Sequence, residues 1–490
     1  MIKVNSVSKM MKKRKGCLAL FSMIFILFFT VISCQEKKAE NTQVTPQSQP
    51  NVLKQILEKK KLRAVVDYNS TNYFVYKAVP MGFKYELLKA LAKKMDVRLE
   101  IVVSNNLEET FTGLEKGRYD VVAKNLTVTK ERSEVIDFTE PLEQTRQVLV
   151  QRLPDNWQVM SEEQLDTAII RNQIDLGGKT VYVQKNTAYY DRLINLSNEI
   201  GEDINIVEDT IYGVEKLVGL VASGEIDYTI CDENVARVNK TYYPNIDIST
   251  PVSFPQNIAW AVRKGADDWR NYLNDWLDEF KKTATFRILY HRYFLSPRSK
   301  YMVASDYHSI TGGKISQYDD IIKEVSAKND WDWRLISSII YVESKFSPDA
   351  DSWSGAQGLM QLMPTTAEFF DVEDVNDPKQ NVEGGVKLLT WLNNYFEPTI
   401  QDSTERVKFV LAAFNVGLGH VKDAQRLAKK YGKDPHVWKD NVDYFLLNKS
   451  LEKYIKDPEV KWGYCRGEEP YQYVQKVLSN YQHYVNVIPM

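Results

Sequence analysis

Histidine is scarce in this chain, with His291, His308, His420, His436 and His483 scattered among 490 residues. No His-Glu-x-x-His run and no paired Cys-x-x-Cys occurs, so a zinc site is unsupported and no metal or other cofactor is expected. Cysteine is equally rare, limited to Cys17, Cys34, Cys231 and Cys465. Cys231 and Cys465 stand far apart in sequence, and no structural disulfide is expected between them. A basic excess is missing too. Lys and Arg number 63 against 65 Asp and Glu, a net charge of −2. Nothing is left over to neutralise phosphates, which excludes nucleic acid as a partner. No internal repeat emerges. What is present is 43% hydrophobic and 26% charged residues, the composition of a folded soluble protein. The length exceeds one ordinary core and implies two or three domains. The 28 Tyr and 10 Trp are generous. Such rings stack on sugars or form interfaces, although core packing is their default use.

Lys12-Lys13-Arg14-Lys15 precedes an apolar run from Leu18 to Ile32. That run is short for a membrane span and has the form of a signal peptide. It ends at Val31-Ile32-Ser33-Cys34, which resembles a bacterial lipobox. The resemblance implies a signal peptide over 1–33, cleavage before Cys34, acylation of Cys34 and attachment to a membrane through that lipid. Residues 34–52 are polar, rich in Gln, Asn, Lys and Pro, and lack periodicity. They read as a flexible tether.

From 53 to 297 short apolar strands alternate with amphipathic helices. Leu62–Val66 reads as a strand, Tyr85–Met95 as a helix and Val97–Val103 as the next strand. This rhythm predicts an open α/β sheet with ligands at the carboxyl ends of its strands. Several segments in order resemble family-3 periplasmic solute-binding proteins, which hold amino acids between two lobes. They are Gly82–Leu87, Leu114–Val122, Asn125–Arg132, Asp137–Pro141, Gly178–Val181, Asn186–Ala188, Gly224–Asp232 and Ile258–Gly265. The family usually has Gly where Asn186 stands. The resemblance implies that Thr127, Arg132, Thr187 and Asp232 bind a regulatory ligand, an amino acid or a cell-wall peptide. Arg132 can grip a carboxylate through two parallel charge-assisted bonds. Taken singly, Arg132 could be a surface helix residue and Asp232 a helix cap.

Residues 298–313 are polar and turn-rich and read as a linker. From 314 to 490 the pattern is helical. Ser316–Asp319 has the form of a capping box variant. Asp332 can cap a helix whose Leu335, Ile336, Ile339 and Ile340 face inward, which puts Glu343 on the edge of the buried face. Glu343-Ser344, Gly355–Ala367, Asn381–Gly385, Ala412–Gly417 and Pro470–Val474 follow in order. Together they resemble the soluble lytic transglycosylase domain, of goose-lysozyme-like fold. The expected architecture is therefore an α/β bilobal binding-protein fold followed by a mainly α domain, a lipid-anchored envelope protein of the outer membrane facing the periplasm.

Hydrolysing glycosidases usually use two carboxylates. Only Glu343 has the motif context here, because Asp349 and Asp351 lie in a turn, where acids are common. One carboxylate suffices when the substrate supplies the nucleophile. The resemblance implies cleavage of peptidoglycan glycan strands at the bond between N-acetylmuramic acid and N-acetylglucosamine, with Glu343 as acid and then base and a 1,6-anhydro sugar as product. It also assigns Ser352, Gln361, Met363, Asn415, Tyr471 and Tyr473 to substrate. For Gln361 the plain alternative is a helix-surface amide, and for Met363 it is core. Phe414 departs from the family, which commonly has a tyrosine whose hydroxyl orients the acid. Tyr471 or Tyr473 is expected to supply the hydroxyl instead. A hydrolytic muramidase and a non-catalytic glycan or amino-acid receptor are the competing functions.

Overall fold

The computed structural model describes residues 51–490 apart from 105, 210–212 and 297, together with no side chains for 298–300. The signal peptide, Cys34 and all but the last residues of the tether lie outside the described residues. Among those described, no helix is long and apolar enough to cross a membrane.

The first half folds as two lobes. In the first lobe, strands Arg98–Val103, Lys61–Val66 and Val121–Thr127 run parallel, and Gln256–Arg263 joins antiparallel beside them. Ile136–Phe138 and Glu143–Thr145 pair with the far side of Gln256–Arg263. The second lobe repeats the plan, with Asn205–Asp209, Thr180–Gln184 and Tyr228–Asp232 parallel and Gln147–Arg152 antiparallel. Strands buried on both faces read as near-continuous apolar runs, which is why Val148, Leu149 and Val150 are all sealed. Asn186 takes a left-handed φ of 60°, a conformation that asparagine tolerates better than most residues.

The second half is helical. Asp319 bonds back to the Ile315 and Ser316 amides, both at 2.8 Å, while the Ser316 hydroxyl receives the Tyr318 amide. These bonds form the turn that leads into helix Asp319–Lys328, whose N-cap position is Tyr318. Asp332 caps helix Trp333–Ser344 by accepting from the Arg334 amide at 2.9 Å. Helices Pro378–Phe396, Ser403–Val416 and Leu418–Lys430 follow, and Glu468–Val487 closes the bundle against the Trp333–Ser344 helix.

The stretch expected as a linker is folded onto the first lobe. Arg298–Val303 is helical. The Lys77 amide then bonds to the Tyr307 carbonyl, and the Ser309 amide to that of Val75. The His308 ring is fully buried against Phe74 at 4.6 Å between centroids. Polar composition concealed this strap, because it is held by a few backbone hydrogen bonds and by the polar side chains of His308 and Ser309.

The Glu468–Val487 helix also touches the first lobe. The Tyr484 hydroxyl donates to the Ala78 carbonyl at 3.0 Å, and the Tyr73 hydroxyl meets His483 Nδ1 at 2.7 Å. One apolar cluster consequently runs from Val52 to Ile488 through both halves, while the second lobe keeps separate cores.

Candidate functional site

Glu343 sits in the last turn of the Trp333–Ser344 helix, whose other face is sealed by Leu335, Ile336, Ile339 and Ile340. Lys345 and Phe346 then adopt left-handed φ values of 53° and 63°. Two consecutive non-glycine residues in that region cost roughly 1–2 kcal/mol each. They swing the chain away directly after the acid. Glu343 is half-buried. Burial raises its carboxyl to about 7, and the Tyr473 hydroxyl pulls the other way. Tyr473 is 5% exposed, and its hydroxyl makes no well-formed hydrogen bond. The hydroxyl thus acts on the carboxyl without a well-formed hydrogen bond between them. Tyr471, two residues earlier, is half-buried and is not among the groups acting on Glu343. Residues two apart on a helix face nearly opposite ways.

The loop from Ala350 to Met363 is tied to the helix turn that carries the acid. Its anchor is Ser344, whose hydroxyl donates to the Leu359 carbonyl at 2.7 Å. The buried Asn381 supplies a second anchor. Its side chain accepts from the Met360 amide at 2.7 Å and donates to the Gln357 and Val375 carbonyls at 3.1 and 2.8 Å. Gly358 has φ +80°, and a Cβ there would fall 2.1 Å from Asn381 Nδ2. At Gly385 a Cβ would meet Met360 Sδ at 2.3 Å. The glycines of both motifs are therefore close-approach points between the loop and the Pro378–Phe396 helix. Ser344 and Asn381 were quoted in the motifs without a role. Their signal was a small polar residue next to the acid and a lone amide opening an apolar helix.

Ser352, Gln361 and Met363 share this loop. Ser352 Oγ accepts from the Ala356 amide at 2.8 Å and pairs with Ser354 Oγ at 2.9 Å. Gln361, at φ 50°, donates from Nε2 to the Ala350 and Gly358 carbonyls at 2.7 and 2.9 Å, so its amide braces the loop. Met363 is 42% exposed, which removes the core alternative. Trp353, next to Ser352, is 98% exposed. Asn415 is exposed at the end of Ser403–Val416, next to the half-buried Phe414. Asp349 and Asp351 are exposed, and Asp351 accepts from Gln357 at 2.9 Å.

The lobes enclose a cavity of about 290 Å³ lined by Thr127, Arg132 and Thr187, joined by Lys124, Tyr68 and Tyr189. Arg132 donates to the Thr127 carbonyl at 3.0 Å, and burial lowers its guanidinium pKa. Lys124 Nζ lies 3.6 Å from Asp67. The lobes are clasped where the Ser70 amide and hydroxyl donate to the Glu215 carboxylate at 2.9 and 2.6 Å. Asp232 does not reach the cavity wall. It is 2% exposed, and burial raises its carboxyl to about 7. Tyr189 stands on the wall in its place. Ile310 of the strap also lines the cavity.

Residues 62–296 match the model for bacterial extracellular solute-binding proteins, family 3, and residues 320–437 match the transglycosylase SLT domain. The chain is 35% identical over 422 residues to membrane-bound lytic murein transglycosylase F of Desulfosudis oleivorans, covering 86% of this chain and 89% of the relative. It is 31% identical over 436 residues to the protein of that name from Pseudomonas fluorescens, covering 88% and 86%. Among solved structures, holo ArgBP from T. maritima is 26% identical with a TM-score of 0.40, covering 49% of this chain and 99% of that one.

Proposed function

The chain belongs to the membrane-bound lytic murein transglycosylase F family, and from that premise we propose that Glu343 alone serves as acid and base in cutting peptidoglycan without water. Lytic transglycosylase activity on peptidoglycan, in the cell envelope, follows from the family. The observation carrying the single-acid reading is the setting of Glu343. It is half-buried and held near neutrality by burial, and among the described residues a tyrosine hydroxyl rather than a second carboxylate acts on it. A carboxyl so placed keeps its proton to donate at neutral pH, yet releases and regains it readily.

In the proposed cycle the Glu343 carboxyl protonates the glycosidic oxygen as the bond to C1 of N-acetylmuramic acid breaks. The N-acetyl oxygen of the same sugar stabilises the cationic C1. Glu343, now a carboxylate, takes the proton of the C6 hydroxyl while O6 bonds to C1. The acid is restored and the product is a 1,6-anhydro sugar. Tyr473 steadies the carboxylate stage in place of the tyrosine that Phe414 lacks. Mass spectrometry of digested peptidoglycan tests this. Anhydro-ended fragments are expected, and none from Glu343→Gln. Hydrated reducing ends would mean a muramidase, and no fragments a receptor.

The cavity between the lobes is proposed to sense an amino acid or muropeptide, with Arg132 and Lys124 facing its carboxylate. Support comes from the wall itself, since Tyr68 donates to the Val487 carbonyl at 3.3 Å, on the helix that carries Tyr473. Calorimetry with the full chain and muropeptides checks binding, and Arg132→Ala is expected to abolish it. An outer-membrane lipid anchor on Cys34 is proposed from the lipobox pattern, and radiolabelled palmitate incorporation lost in Cys34→Ala tests it.

A further inference from the structure

Across the end of the 320–437 match, the chain builds an aromatic shelf that the catalytic reading does not use. Asp423 and Lys449 are both fully buried, and their charged groups lie 2.5 Å apart. Lys449 also meets His420 Nδ1 at 2.6 Å, and Arg426 pairs with Asp423. A buried ion pair of this kind is a weak source of stability compared with apolar packing. Its outward effect is positional. The Asp423 carboxylate receives the backbone amides of Lys461 and Trp462, each at 2.9 Å. The Trp462 ring is thereby laid face-on over Gly419, where a Cβ would fall 2.2 Å from the ring. One face of the indole is covered and the side chain remains 62% exposed. A rigidly held, open aromatic face is a binding feature rather than a packing one.

Tyr464, 58% exposed, stands two residues on. It lines an open groove of about 630 Å³ with Asn448, Ser450, Arg466, Glu468 and Glu469. Amide, hydroxyl and guanidinium groups beside an aromatic wall match the two sides of a sugar ring, its C–H face and its hydroxyl edge. Glu468 and Glu469 oppose a stem peptide with free carboxylates. Two features relate the shelf to the elements that carry the site residues. Gly419 lies four residues beyond Asn415 in sequence. Glu468 opens the helix that carries Tyr473, five residues or about 7.5 Å further along its axis.

We propose that Trp462 and Tyr464 form a distal glycan subsite, stacking a sugar ring of the strand whose cleaved bond lies at Glu343. This rests on the chain's acting on glycan strands. Binding is measured in the Glu343→Gln full chain, with glycan strands stripped of their peptides. Trp462→Ala is expected to weaken binding about tenfold, one aromatic contact's worth. Trp462→Phe should restore most of it, and Tyr464→Ala, which leaves the Asp423 cluster untouched, should weaken it several-fold. Unchanged binding by both alanine variants overturns the subsite, as does a loss seen only on peptide-bearing strands. Failure of the catalytic reading is separate, because it shows as the unsubstituted protein releasing no glycan fragments.

Discussion

Two carboxyls in this molecule are pushed to about 7, Glu343 in the helical domain and Asp232 in the second lobe. Burial is the main cause for both. Their surroundings differ. Asp232 is sealed at the end of a strand, repelled by Glu143, with the Tyr189 hydroxyl and the fully buried Lys84 pulling against these effects. Glu343 keeps an open edge, and among the described residues only the Tyr473 hydroxyl acts on it, against the effect of burial. A raised pKa therefore marks a buried acid, and nothing more. What turns the proton into a reagent is access for a substrate oxygen.

The sharpest way to break this contrast is activity. Glu343→Gln is expected to lower the release of glycan fragments by ~10²–10⁴-fold. Fragment counts by mass spectrometry above a tenth of the original would erase the distinction. Stability should not separate the two acids. Each has a folded pKa above its unfolded one, so the native state holds more protons between roughly pH 4 and 7, and stability falls as pH rises through that window. Glu343→Gln and Asp232→Asn should each gain ~1–3 kcal/mol at pH 8 in chemical denaturation, and far less at pH 4. Activity itself should decline as pH rises past about 7, where Glu343 loses its proton.

Tyr473→Phe removes the hydroxyl that lowers the Glu343 pKa. The alkaline limb of the pH–rate profile should move upward and the rate fall about tenfold. An unmoved limb would mean that the hydroxyl does not touch the acid's titration. The smallest effect is expected from Ser344→Ala. It frees the Leu359 carbonyl and should cost ~1–2 kcal/mol in denaturant unfolding, with a modest loss of rate.

Much of this was legible in the sequence for local reasons. Asp332 caps its helix because a side-chain oxygen can reach an amide two residues on, whatever the rest of the chain does. Ile336, Ile339 and Ile340 fall on one face through the helical period alone. The choice between Tyr471 and Tyr473 was not legible, since it depends on the rotation of the Glu468–Val487 helix against a partner far away in sequence. That Tyr189 rather than Asp232 lines the cavity was hidden for a similar reason. The position of Asp232 on a strand end was readable, but the cavity wall is set by how two lobes close. The 307–310 strap was invisible because two backbone hydrogen bonds and a buried histidine ring leave little trace in composition.

The apolar cluster joining Val52 to Ile488 has a consequence for dividing the molecule. Two sequence families meet in this chain, and a cut near residue 312 looks clean on that basis. It would uncover His483 and Tyr484, 7% and 0% exposed in the whole protein, along one side of the helix that also holds Tyr473. An excised catalytic fragment would carry a sticky flank and a loosened acid. Swapping one module for a distant relative's would require redesigning that helix, so the unit that inheritance can exchange is larger than either family.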